Sequence, residues 1–191
     1  MSKIILCTGG ARSGKSEFAE RLITAKKGNY VYVATGQAFD DEMRDRIARH
    51  RKRRGTQWKT FEVPTDLPAV WSNILHSGER ILVDCLTMYC TNAMLAAGDL
   101  ETQEDYNRLE AQVLQDIKQV LTATRTVNDC TVVFVTNELG LGVVPENRLA
   151  RLFRDLAGKV NQTVAEEADH VYMTLSGISI DIKALEVDVN G

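Results

Sequence analysis

The sequence has no C-x-x-C pair, no long apolar run, no excess of basic charge and no linker-like stretch, and each absence excludes a class of protein. The four cysteines, Cys7, Cys85, Cys90 and Cys130, lie in or beside apolar runs and read as small buried side chains, not metal ligands or a disulfide framework. No apolar run approaches the roughly 20 residues of a membrane-spanning helix. Met1-Ser2-Lys3 leads directly into a short strand pattern with no signal-peptide layout, so a cytoplasmic chain without a membrane span is expected. A net charge of −3 and a pI near 5.7 argue against a general nucleic-acid binder. With no linker, residues 1–191 are expected to form one domain with its own core and a loose tail at 184–191.

What is present is an alternation of strand and helix patterns. Short β-rich runs occur at Ile4–Cys7, Tyr30–Ala34, Ile81–Asp84, Thr131–Thr136 and His170–Leu175, and between them lie amphipathic patterns at 16–24, 105–124 and 147–168, with a further helix expected at 86–95. Asn147 is placed to cap the last of these. The alternation predicts an α/β fold with a mostly parallel sheet covered by helices. The Ser176-Gly177 pair between His170–Leu175 and Ile178–Ile182 predicts a hairpin and one antiparallel edge strand.

The chemistry is concentrated in Gly9-Gly10-Ala11-Arg12-Ser13-Gly14-Lys15-Ser16, which follows the first strand and opens the first helix. This is the Gly-x4-Gly-Lys-Ser spacing of a P-loop. Glycines let the backbone curl so that successive N–H groups face phosphate oxygens, and the following helix turns its positive end toward the anion. Lys15 is then expected to reach the β- and γ-phosphates, and Ser16 to offer its hydroxyl to Mg²⁺. The implied ligand is a nucleoside triphosphate with Mg²⁺.

Three further segments fit such a site. Ile81-Leu82-Val83-Asp84 is an apolar strand ending in a carboxylate, and Asp84 is a candidate second Mg²⁺ ligand; the alternative is an Asp that caps the next helix. Phe39, Met43, Ile47 and His50 recur at helical offsets in a segment that begins acidic and ends in Arg51-Lys52-Arg53-Arg54. His50 therefore projects from the apolar face, and an imidazole near bound phosphates is a candidate nucleophile on phosphorus; otherwise it belongs to a solvated cationic patch. His76 and His170 read as structural. The segment 135–148 carries a strand into a loop, where Asn137, Glu138, Glu146, Asn147 and Arg148 are candidates for binding an acceptor or ordering water and metal. Ordinary turn and cap chemistry is the alternative there.

In this order the segments resemble the bifunctional adenosylcobinamide kinase/adenosylcobinamide-phosphate guanylyltransferase (CobU/CobP) family of cobalamin biosynthesis. The resemblance rests on Thr8–Ser16, Tyr32-Val33-Ala34-Thr35, Asp41-Glu42-Met43 with Arg46-Ile47 and His50, Trp58-Lys59-Thr60, Asp84-Cys85-Leu86-Thr87, Thr136-Asn137-Glu138 with Gly140 and Gly142, and Val144-Pro145-Glu146-Asn147-Arg148 running to Gly158. It implies a RecA-like P-loop NTPase fold and two reactions. The aminopropanol hydroxyl of adenosylcobinamide would be phosphorylated from ATP or GTP, and GMP would then pass from GTP to adenosylcobinamide-phosphate with release of pyrophosphate. By matching position, His50 would become guanylylated. Gly9–Ser16, Ala34, Thr35, Gly36, Arg51, Lys52, Arg53, Arg54, Glu62 and Asp84 would contact nucleotide, and a homotrimer would form. Asp84 stands where some relatives carry Glu, and the tail beyond Lys183 matches the family less closely. A P-loop kinase of another small hydroxylated metabolite is the rival function. A GTP-binding switch is a second, without support from any N-K-x-D string in the sequence.

Overall fold

A computed structural model describes residues 1–37, Asp41 and residues 57–187. Seven strands form one sheet: β1 (Lys3–Gly9), β2 (Tyr30–Ala34), β3 (Trp58–Glu62), β4 (Arg80–Asp84), β5 (Thr131–Val135), β6 (His170–Leu175) and β7 (Ile178–Asp181). Their order is β3-β2-β4-β5-β1-β6-β7. All neighbouring pairs are parallel except β6 and β7, which pair antiparallel. The mostly parallel sheet and the antiparallel edge hairpin expected from the sequence are both present.

Among the described residues the α-helices are α1 (Lys15–Thr24), α2 (Leu67–Leu75), α3 (Leu86–Ala97), α4 (Gln103–Arg125) and α5 (Arg148–Glu167). Side-chain alternation along the strands divides them between two cores. Ile5 and Cys7 of β1 point to the face covered by α1, where Ala19 and Ile23 meet Leu82, Val133 and Val135. Ile4 and Leu6 point to the opposite face, packed by Trp71 of α2, Leu86 and Tyr89 of α3, Ile117 of α4 and Val160 of α5. Two polar atoms inside that larger core are satisfied: Trp71 Nε1 donates to Thr124 Oγ1 at 3.0 Å, and Tyr89 Oη to Asp116 Oδ2 at 2.8 Å.

Local signals explain the starts of the two longest helices. Asn147 caps α5, its Oδ1 accepting from the Ala150 N–H at 3.0 Å, as expected. Thr102 and Asp105 form a reciprocal capping box at the start of α4, worth on the order of 1 kcal/mol for the Thr102 cap. Two elements have weak sequence patterns. The edge strand β3, WKTFE, is partly exposed along its length and carries no apolar alternation strong enough to announce it. Helix α2 follows a Pro-containing start, LPAVWSNIL, and buries Leu67, Trp71 and Ile74, a stripe too short to separate from a strand by period alone. None of the described helices is long and apolar enough to cross a membrane.

Candidate nucleotide site

The carboxyl ends of the parallel strands form one edge, and register arranges the expected site residues along it. Glu62 of β3 lies opposite Ala34 of β2, Ala34 opposite Asp84 of β4, Asp84 opposite Val135 of β5, and Val135 opposite Cys7 of β1. Strands spaced about 4.8 Å apart put roughly 19 Å between the β3 and β1 ends of this row. The phosphate loop leaves β1 at one end of it. Glu62 stands at the other, exposed.

The loop itself is a tight turn from β1 into α1, and α1 begins at Lys15, slightly earlier than the apolar pattern suggests. Gly9 is required by close approach: a Cβ there would lie 2.5 Å from the Thr174 carbonyl oxygen of β6. The Phe18 N–H donates to the Gly14 carbonyl at 3.0 Å, closing the first helical turn. Lys15 is buried and its Nζ donates to the Gly10 carbonyl at 3.0 Å, which folds the ammonium back over the loop. Gly10, Ala11 and Arg12 are exposed, while Ser13 is buried with its Oγ unpartnered among the described residues. Arg12 adopts φ of 57°, a left-handed conformation that costs a non-glycine residue on the order of 1–2 kcal/mol.

Asp84 ends β4 on the far side of β5. Tyr32 Oη donates to Asp84 Oδ2 at 3.4 Å. The next residue reports on the local charge. The Cys85 thiol is pushed up to about 11 by burial first and then by the Asp84 carboxylate, while Lys15 pulls it the other way. Ser16 and Asp84 are hard oxygen donors, and among the described residues no cluster of three or more His, Cys, Asp or Glu could hold a metal alone. That donor set fits Mg²⁺, which keeps waters and takes most of its remaining ligands from phosphates. The other three thiols are raised as well: Cys7 and Cys90 to about 12 and Cys130 to about 11, each chiefly by burial. They are inert packing groups, as the sequence suggests.

Thr35 is fully buried. Its hydroxyl donates to the Cys85 carbonyl and accepts from the Cys85 N–H, both at 2.7 Å, so it ties β2 to the end of β4. Asn92 of α3 reinforces this by donating to the Thr35 carbonyl at 2.7 Å and the Pro64 carbonyl at 2.9 Å. Ala34 and Gly36 flank that clamp and are partly exposed. His50, Arg51, Lys52, Arg53 and Arg54 lie outside the described residues.

Sequence reasoning missed two supports of the site. The first is the β6–β7 turn: the Gly177 N–H donates to the Ser13 carbonyl at 2.8 Å, and a Cβ on Gly14 would sit 3.3 Å from Gly177 Cα. The only local signal was the Ser-Gly turn, which predicts a hairpin but not what it touches. The second is a buried polar relay under the β5–α5 loop. Thr136 Oγ1 donates to Asn161 Oδ1 at 2.7 Å, Asn161 Nδ2 donates to the Asn137 carbonyl at 3.1 Å, and the Asn137 N–H donates to Thr87 Oγ1 at 2.8 Å. Beyond it the Glu138 N–H donates to the Gly9 carbonyl at 3.1 Å, which joins this loop to the phosphate loop. Arg148 donates to the Leu100 carbonyl at 2.6 Å, so Arg148 and the capping Asn147 have structural partners.

The fold is similar to that of a prototypical ATPase from the type III secretion system of pathogenic bacteria, with a TM-score of 0.55 at 12% identity, covering 98% of this chain and 59% of that one. A bifunctional adenosylcobalamin biosynthesis protein CobU from Salmonella typhimurium is 44% identical over 182 residues, covering 94% of this chain and 99% of the relative. The CobU of Escherichia coli is 42% identical with the same coverage. The CobP of Pseudomonas aeruginosa is 39% identical over 93% of this chain and 96% of its own. The family model described as cobinamide kinase / cobinamide phosphate guanyltransferase matches residues 5–182, and the chain belongs to that family.

Proposed function

We propose that this chain phosphorylates adenosylcobinamide from a nucleoside triphosphate and then transfers GMP from GTP to adenosylcobinamide-phosphate through a guanylyl-histidine at His50. The observation that carries the proposal is the Gly9–Ser16 loop at the carboxyl end of β1, with Asp84 two strands away, in a chain whose family match runs over residues 5–182.

One phosphate cradle serves both steps. In the kinase step the loop N–H groups and Lys15 hold the β- and γ-phosphates, and the acceptor hydroxyl attacks the γ-phosphorus as its bond to the bridging oxygen breaks. In the second step the same cradle holds the β- and γ-phosphates as the leaving pyrophosphate while a ring nitrogen of His50 attacks the α-phosphorus. An oxygen of the acceptor phosphate then displaces the histidine. Both steps need the attacking atom within about 3–3.5 Å and in line with the leaving oxygen. Lys15, Arg12 and the Arg51–Arg54 cluster disperse the charge that develops on the phosphoryl oxygens. Ser16 and Asp84 would hold Mg²⁺, which would supply positive charge against the phosphates. Ala34, Gly36 and Glu62, along the edge from the phosphate loop, are placed in our proposal toward the ribose and base. A homotrimer is the assembly that the family resemblance supports.

The test is turnover. Purified protein with adenosylcobinamide, Mg²⁺ and ATP should yield adenosylcobinamide-phosphate, and addition of GTP should yield the GDP-linked corrinoid with one pyrophosphate per product. Phosphorylation without any GMP transfer would reduce the chain to a kinase. Activity only on another hydroxylated metabolite would favour the rival P-loop kinase.

A further inference from the structure

Four large aliphatic side chains lie exposed in the loop from β5 to α5 and the first turn of that helix: Leu141 at 77%, Val143 at 95%, Val144 at 59% and Leu149 at 54%. The loop that carries them is anchored at both ends. At one end the Glu138 N–H holds the Gly9 carbonyl of the phosphate loop and Glu138 Oε1 accepts from the Gly140 N–H at 2.8 Å. At the other, Arg151 donates to the carbonyls of Pro145 and Glu146 at 3.0 and 2.6 Å. An apolar tip on an anchored loop beside a nucleotide cradle is a binding surface in search of an apolar partner.

Beside it a cavity of about 510 Å³ opens between α4 and α5, and Gly140 forms part of its wall. Its lining is polar in a particular way, with the side-chain amides of Gln103, Asn107 and Gln162 alongside Glu110 and Arg154. Glu110 Oε1 pairs with Lys159 at 2.5 Å. Tyr106 Oη, also on the wall, faces the same carboxylate, and burial and then its hydrogen-bonding contact with Glu110 push its pKa up. The exposed side-chain amides of Gln103, Asn107 and Gln162 suit an amide-bearing ligand. Gly140 is two residues from Glu138, so cavity and phosphate loop are separated by about 7 Å of chain.

We propose that the Leu141, Val143 and Val144 tip and the α4–α5 cavity together bind the corrinoid acceptor, the tip against the flat apolar macrocycle and the cavity around its peripheral amide arms. The inference rests on the corrinoid substrate proposed above. A corrinoid is apolar on its faces and amide-rich at its rim, and the two surfaces match that division while lying next to the β- and γ-phosphate cradle that its hydroxyl must reach.

The experiment is equilibrium dialysis of the full-length protein with adenosylcobinamide in the absence of nucleotide, for wild type, Val143→Asp and the double variant Asn107→Ala/Gln162→Ala. All three positions are exposed, so the variants should fold. Each variant is expected to weaken corrinoid binding about tenfold, with the Kd for GTP within about twofold of wild type. Corrinoid affinity unchanged in either variant overturns the proposal. So does parallel loss of corrinoid and GTP affinity, which would make the loop a structural prop of the cradle. If Val143→Asp instead changes only the oligomeric state by light scattering, the tip is an interface between copies of the chain and the proposal fails. Wild-type protein that phosphorylates adenosylcobinamide with variants indifferent to it defeats this inference alone; wild type that neither binds nor phosphorylates the corrinoid defeats the proposed function with it.

Discussion

The backbone N–H of Gly177 donates to the carbonyl of Ser13 at 2.8 Å, so the turn of an edge hairpin holds the middle of the phosphate loop. Ser176 and Gly177 have φ of 50° and 82°, the pair of positive values that a tight two-residue hairpin turn requires. An L-residue at the second position is strained by on the order of 1 kcal/mol. Gly177→Ala is therefore expected to lower stability by about that amount and to raise the Kd for GTP several-fold, because relaxing the turn loosens Ser13 and its contact with Gly14. Isothermal titration with GTP and Mg²⁺ checks it. Affinity equal to wild type would mean that the loop keeps its shape without the hairpin.

Asn161 holds the floor of the β5–α5 loop from within α5. Replacing it by Leu preserves bulk but leaves the Asn137 carbonyl without its side-chain donor and the Thr136 hydroxyl with only Thr87 Oγ1 at 3.3 Å. A buried polar group left unpaired costs about 1–3 kcal/mol. Asn161→Leu should lower Tm accordingly and cut kcat for phosphoryl transfer more than it changes the KM for nucleotide. Denaturant melts combined with steady-state kinetics separate the two effects; full kcat at a reduced Tm would restrict Asn161 to a packing role.

Much of this architecture was legible in the residues. The phosphate loop, the strand ending at Asp84, the Asn147 cap and the hairpin at Ser176-Gly177 all have short-range causes, and each appears where its pattern lies. The carboxyl-edge row from Glu62 to Cys7 was not legible, because it depends on strand order, which no local signal fixes. Strand β3 went unseen for a related reason: an edge strand that is half exposed need not alternate. Thr35 carries more than its sequence announces. The family resemblance implies nucleotide contact there, and the structure adds a role with no local signal: its hydroxyl grips the backbone of Cys85. The Gly177–Ser13 and Asn161–Asn137 contacts join residues far apart in sequence, and only the folded arrangement reveals them.

At the opposite edge of the sheet, Asp169 accepts from the Ile4 N–H at 2.7 Å and from Arg125 Nη1 at 3.0 Å. Burial pushes this carboxyl up, but the Ile4 and Arg125 hydrogen bonds and the Arg125 charge outweigh it, and its pKa is lowered overall. A lowered folded-state pKa gives stabilisation that is fully present above the ordinary carboxylate value of about 4 and is lost as pH falls through the folded value. Asp169→Asn should accordingly lower Tm at about pH 7, with the gap from wild type narrowing as the pH is taken from about 5 to about 2. Thermal melts followed by circular dichroism across that range test the sign. A gap that is constant down to the acid end would show that the ionised carboxylate is not what stabilises the junction.

The central claim is that one chain carries both a phosphate cradle and a histidine that accepts GMP. The most direct measurement incubates wild type and His50→Asn with Mg²⁺ and GTP labelled at either the α- or the γ-phosphorus, without corrinoid, followed by denaturing electrophoresis and acid treatment. An acid-labile label on wild type from α- but not γ-labelled GTP, absent from His50→Asn, is the predicted result. Wild type that binds GTP and Mg²⁺ yet takes up no covalent label would contradict the account and leave a P-loop kinase in which His50 is at most a phosphate contact.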